Sequence, residues 1–199
     1  SGKVNLALSE LPSFTCLPGD GPHLKGAISI SPSMDYIERA YDEAKYGDFS
    51  SRPYMDVMIP TLIDPSLAPP GKHVMSIFVQ YAPYRLKPGT TWEQKREAFG
   101  DAVIDTLSEY APNLKKAIIG RMVLSPWDME QRIGLTEGNI FHGELSLDQL
   151  FFLRPVAGWA QFRTPLEGLY LAGSGAHPGG GVMGAPGKLA ALEMLKDAS

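Results

Sequence analysis

The stretch Leu169-Tyr-Leu-Ala-Gly-Ser-Gly-Ala-His-Pro-Gly-Gly-Gly-Val-Met-Gly184 constrains this chain more than any other. Leu169 to Ala172 is short, apolar and bounded by glycine, the pattern of a fully buried strand. Six glycines then fall between Gly168 and Gly181, more than a simple turn needs. Missing Cβ atoms matter most where backbone takes positive φ or comes close to another group. The spacing therefore predicts a strand that ends in a loop lying against a flat or charged partner.

From about Met183 the pattern becomes helical, with Leu189, Leu192 and Leu195 as an apolar stripe and Ala190 and Ala191 between them. Pro186 suits a first turn, where a missing N–H costs nothing. A helix that begins after glycines presents unpaired N–H groups and the positive end of its dipole, a setting that accepts anions or polar edges. Gly179, Gly181 and Gly184 spell G-x-G-x-x-G. No second strand or ribose-binding acid follows them, so the triplet is not an independent Rossmann fingerprint.

The segment Gly168-Leu-Tyr-Leu-Ala-Gly-Ser-Gly-Ala-His-Pro-Gly-Gly-Gly-Val-Met-Gly-Ala185 resembles the C-terminal FAD motif of the phytoene desaturase and flavin amine oxidase superfamily. Asp64-Pro-Ser-Leu-Ala-Pro-Pro-Gly-Lys-His73, Gly138-Asn-Ile-Phe-His-Gly143 and Leu147-Asp-Gln-Leu-Phe-Phe-Leu-Arg-Pro155 are similar to one branch of it. The resemblance covers nearly the whole chain. It implies the C-terminal part of an FAD-dependent oxidoreductase, with residues 3–164 a partial substrate-binding domain and 165–199 the FAD strand-loop-helix. The N-terminal Rossmann half is expected to lie outside the sequence.

The resemblance further implies that Gly173, Ser174 and Gly175 pass near the FAD pyrophosphate and ribityl. Gly181, Val182 and Met183 would present backbone to the isoalloxazine edge. The implied reaction is dehydrogenation of a hydrophobic substrate, with hydride passing to the flavin. A redox-neutral double-bond isomerase and a non-catalytic binding or assembly module are the alternatives. Without its other half-site, this part alone is expected to be inactive and not to retain FAD. An exposed face awaiting that partner would also favour self-association into homo-oligomers. Ser174 stands where other members can carry an acid, but a hydroxyl still donates or accepts a hydrogen bond.

Composition excludes several other classes. With 18 Lys and Arg against 22 Asp and Glu, and no basic stripe, the chain lacks the surface that nucleic acid requires. It has no apolar run of membrane-spanning length. A cytoplasmic location is expected, or a mitochondrial one if a transit segment precedes this sequence. Cys16 is the only cysteine, so neither an internal disulfide nor a thiolate cluster can form. Four scattered histidines, His23, His73, His142 and His177, have no metal-like spacing, and no metal is expected.

The remaining pattern reads as α+β, with a mixed, largely antiparallel sheet and flanking helices. Strands are expected at Lys3–Leu8, 26–31, 54–60, His73–Tyr81 and Ile118–Leu124. Helices are expected after Ser33, from Thr91 to Tyr110 with Trp92, Ala98, Val103 and Leu107 on the buried side, and after Ser125. The Pro-rich connection at 64–71 favours antiparallel pairing of the strands that flank it. With no repeat or low-complexity linker, a single domain is the economical reading.

Few acid or base residues are required, because a flavin carries the redox chemistry itself. His177 either faces the flavin or substrate and acts as acid or base, or bonds backbone and locks the loop. Arg154, after the apolar Leu150-Phe-Phe-Leu, either anchors a substrate anion or is a surface or paired arginine. Buried packing is the default for Trp159 and Phe162.

Overall fold

Alternation in β1 (Gly2–Leu8) places Val4, Leu6 and Leu8 on one face, where they are buried, and Lys3, Asn5 and Ala7 on the other. β1 is the fourth strand of a five-stranded sheet ordered β2-β3-β4-β1-β5, with β2 at Ile28–Ile30, β3 at Tyr54–Met58, β4 at His73–Gln80 and β5 at Ile118–Leu124. All four pairings are antiparallel, so the sheet is not mixed. Register carries the buried face across the sheet: Val4 lies opposite Ile77 and Val123, Leu6 opposite Met75, and Val57 opposite Ile77. The fold is α+β, as expected.

The computed structural model describes residues 1–199. They separate into two compact units, Ser1–Arg132 and Ile133–Ser199, at a place where composition marks no linker.

In the first unit, α1 (Met34–Lys45) starts at Ser33, whose hydroxyl accepts from the Tyr36 N–H at 3.1 Å. α2 (Trp92–Tyr110) starts in a capping box between Thr91 and Gln94. A short α3 (Leu114–Ala117) leads into β5, and α4 (Pro126–Ile133) follows it. Asp128 is buried and accepts from the Ser125 N–H at 2.9 Å, the Ser125 hydroxyl at 2.6 Å and Arg96 Nε at 2.8 Å. Burial alone would raise its carboxyl, but the Ser125 and Arg96 hydrogen bonds prevail and hold it below the usual carboxylate range.

The buried side of α2 differs from expectation at one turn. Ala98 is exposed, while Phe99 is fully buried and makes edge contacts with Phe49 and Trp92 at ring distances of 5.5 and 5.6 Å. Gly100 sits so close to β5 that a Cβ there would lie 2.6 Å from Val123 Cγ2. The helix thus brings Phe99 and its one glycine onto the sheet, a choice that volume decides and periodicity alone does not.

The second unit has only Phe162, Ala176 and Ala190 as buried hydrophobics, with Leu189 packed against them. α5 (Ala185–Asp197) forms where the leucine stripe places it. Leu192 and Leu195 nevertheless remain 46% and 67% exposed. The expected buried strand at Leu169–Ala172 does not form. An isolated bridge pairs Tyr170 with Arg163, and Leu169 and Leu171 are exposed, because a hairpin-like turn around Pro165–Gly168 covers only one edge. Trp159, expected to be buried, is also exposed. No helix in the chain is long and apolar enough to cross a membrane.

Replacing Phe99 by alanine is expected to cost about 3–5 kcal/mol, whereas Ala98→Ser should stay within about 0.5 kcal/mol. Urea denaturation of the two variants measures both.

Candidate functional site

The glycine loop runs from Gly173 to Gly184 in the second unit. Gly179, Gly181 and Gly184 have φ of 103°, 142° and 65°, values that L side chains rarely adopt. Gly184 is the N-cap of α5, so its left-handed φ turns the loop into the helix. No side chain caps that end, and Pro186 occupies the first turn without an N–H of its own. Val182 is fully exposed, and Met183 is 57% exposed beside it. No acidic side chain occurs between Gly173 and Lys188, so the loop offers amides, one hydroxyl and the positive end of a 13-residue helix.

Arg154 fixes the near end of this loop. Its side chain is 1% exposed and makes no carboxylate ion pair. Nε and Nη2 donate to the Ser174 carbonyl at 3.2 and 2.7 Å, and Nη1 to the carbonyls of Glu144 and Gln149 at 3.1 and 3.4 Å. Nη2 also donates to the Phe141 carbonyl. Arg154 is therefore neither a surface arginine nor one paired with an acid. All three nitrogens donate to main-chain carbonyls.

His177 has no hydrogen-bond partner; its ring lies 5.9 Å from that of Phe151, which is 66% exposed. The backbone-bonded lock that the sequence left open is thus not formed by this histidine. His142 is a loop residue with φ of 54°. Of the sequence-derived residues, Gly173, Ser174, Gly175, Gly181, Val182 and Met183 lie on one continuous loop, and Arg154 is bonded to Ser174 within it. The chain has no cluster of His, Cys, Asp or Glu arranged for a metal. Cys16 is a free, exposed thiol in the first unit.

Sequence reasoning did not find the ion cluster that closes the far end of α5. Arg163 donates to both Asp197 oxygens at 2.9 and 2.7 Å and to Glu193 at 2.6 Å, while the Tyr170 hydroxyl donates to Asp197 at 2.6 Å. Arg163 and then Tyr170 draw the Asp197 carboxyl down to about 2, and Asp197 and Glu193 push the Arg163 guanidinium up. Glu193 and Asp197 are four apart and so share a helix face, which was the available signal.

No family model matches the chain. Comparison with known proteins nevertheless relates it to phytoene desaturases, as the motif resemblance implied. It is 46% identical to pyridine nucleotide-disulfide oxidoreductase domain-containing protein 2 of Rattus norvegicus over 98% of its own length and 35% of the relative's. It is 30% identical to the lycopene-forming phytoene desaturase of Pseudescherichia vulneris over 69% of the chain and 28% of that protein. Against a limonene dehydrogenase polypeptide of Castellaniella defragrans it is 32% identical, over 71% and 26%. The chain spans about a third of the length of the curated relatives it matches.

Because the folded Asp197 carboxyl lies below its ordinary 3.8, its contribution is full above about 4 and lost as pH falls toward about 2. Protection of the α5 amides, taken relative to intrinsic exchange at each pH, should fall over that window in the native protein. In Asp197→Asn that protection should already be reduced at neutral pH; equal protection in both would show that the cluster does not hold the helix.

Proposed function

We propose that this chain carries the glycine-loop side of a flavin site in an FAD-dependent oxidoreductase that dehydrogenates a hydrophobic substrate. The observation that carries the reading is the loop itself, an acid-free run of amides leading through Gly184 into the uncapped start of α5. Those donors fit an anionic dinucleotide, and a Cβ at Gly173 or Gly184 would meet nothing within 4 Å, so the backbone is open to close approach.

Under this reading Gly173, Ser174 and Gly175 would hold the pyrophosphate and ribityl, and Gly181, Val182 and Met183 the edge of the ring system. FAD, when bound, supplies the redox chemistry by accepting hydride from a substrate C–H bond. The start of α5 favours negative charge beside it. Exposed Phe151 and Phe152 offer apolar surface to a substrate, and His177, free of hydrogen bonds and next to Phe151, is the polar group available to it.

The relatives are named as a desaturase and a dehydrogenase, and phytoene and limonene are hydrocarbons. Those names favour dehydrogenation over double-bond isomerisation and support an apolar substrate. In this assignment residues 3–164 serve the substrate and 165–199 the cofactor, and the other half of the flavin site comes from an N-terminal polypeptide like that of the longer relatives. Exposed Phe152, Leu147, Val182 and Leu195 are the kind of surface such a partner covers.

The test is complementation. Purified alone, the chain should be colourless; co-expressed with the part of the rat relative that lies outside the matched span, it should co-purify with stoichiometric flavin. A yellow chain without the partner, or a stable complex without flavin, would contradict the proposal.

A further inference from the structure

The loop contains a peptide whose direction is set from outside it. The Ser174–Gly175 bond is trans, so its C=O and N–H point in opposite directions. Arg154 takes the Ser174 carbonyl through both Nε and Nη2. The Gly175 N–H therefore points away from the guanidinium, and it donates to no acceptor in the chain. Gly175 itself is half-buried, so this is an oriented donor on a partly covered backbone and not a fraying turn.

The guanidinium is unusual in its environment. A buried arginine ordinarily finds a carboxylate, whereas this one is satisfied by the carbonyls of Phe141, Glu144, Gln149 and Ser174. Three of them lie in the 141–149 segment, which has no strand and no α-helix of its own. A Cβ at Gly179 would lie 3.6 Å from Nε, so the second bend of the loop passes over the same group. One planar side chain thus ties the Ser174 arm of the loop to a segment that lacks regular structure, with the Gly179 bend passing close by.

We propose that Arg154 is the positioning residue of the glycine loop: by capturing the Ser174 carbonyl it aims the Gly175 N–H at the cofactor's phosphates. The assignment of that ligand rests on the flavin reading above; the orientation of the peptide does not. Lysine cannot reproduce the effect, because a point-like ammonium lacks the planar fork that reaches carbonyls on two sides. Loss of even one charge-assisted hydrogen bond of this kind corresponds to at least about tenfold in the local opening equilibrium.

The experiment compares Arg154→Lys and Arg154→Ala with the native chain by hydrogen exchange and mass spectrometry. In Arg154→Lys, exchange should rise at least about tenfold at the hydrogen-bonded amides of 141–149 and at Ala176, whose N–H donates to the Gly173 carbonyl, while α5 and β1 stay protected. In Arg154→Ala, added guanidinium ion well below denaturing concentration should restore protection in those segments, and urea, similar in shape but uncharged, should not. Affinity for FAD of the complemented complex should fall in the variants in the same order. Unchanged exchange in Arg154→Lys, or equal rescue by urea, overturns the proposal. A native complex that takes up no FAD, with the exchange pattern still as stated, removes the flavin reading and leaves the positioning role in place.

Discussion

A guanidinium withdrawn from water is the constraint on which residues 133–199 depend. Burying a charge costs on the order of several kcal/mol unless its hydrogen bonds are made in full. Arg154 makes them with four main-chain carbonyls, and in doing so it ties together segments that would otherwise have little to hold them. A unit with three buried hydrophobic residues cannot rely on its core. Its order comes from this inward charge at one end of the glycine loop and from the Arg163–Asp197–Tyr170 cluster at the far end of α5. The two devices bracket the loop, which leaves its amides free for a ligand.

Residues 1–132 work by the opposite means. There the alternation of β1, β3 and β4 builds one continuous apolar face, α2 covers it with Phe99, Val103 and Leu107, and a carboxylate, Asp128, is the buried charge. Asp128 is matched by Arg96 and by its own helix cap, so it needs no irregular backbone to satisfy it. The contrast explains why one unit is a regular sheet with helices and the other is mostly turns.

The first unit was largely legible in the sequence because period-two alternation and capping residues act locally. Ser33, Thr91 and Ser125 each start the helix they were expected to start. Ala98 was misplaced because spacing defines a stripe without deciding which of two adjacent residues fills it; the volume of Phe99 and the absence of a side chain at Gly100 decided it. The second unit was legible only in part. Its helix and its glycine conformations follow from local pattern. Leu169–Ala172 failed as a buried strand because burial requires a covering neighbour that a sequence run cannot announce. The role of Arg154 was hidden for a related reason: its partners are carbonyls, which every residue carries, so no residue type marks them.

On the flavin reading, the Gly173–Gly184 loop receives a dinucleotide through its amides. Titrating the chain, labelled with nitrogen-15 at glycine, with FAD at high concentration tests this without requiring tight retention. The resonances of Gly175, Gly181 and Gly184 should shift together and saturate, while Gly71 and Gly89 of the first unit stay fixed. If the loop glycines remain where they are while FAD is raised to the limit of its solubility, or if the shifts fall only on the first unit, the flavin assignment of this loop is wrong.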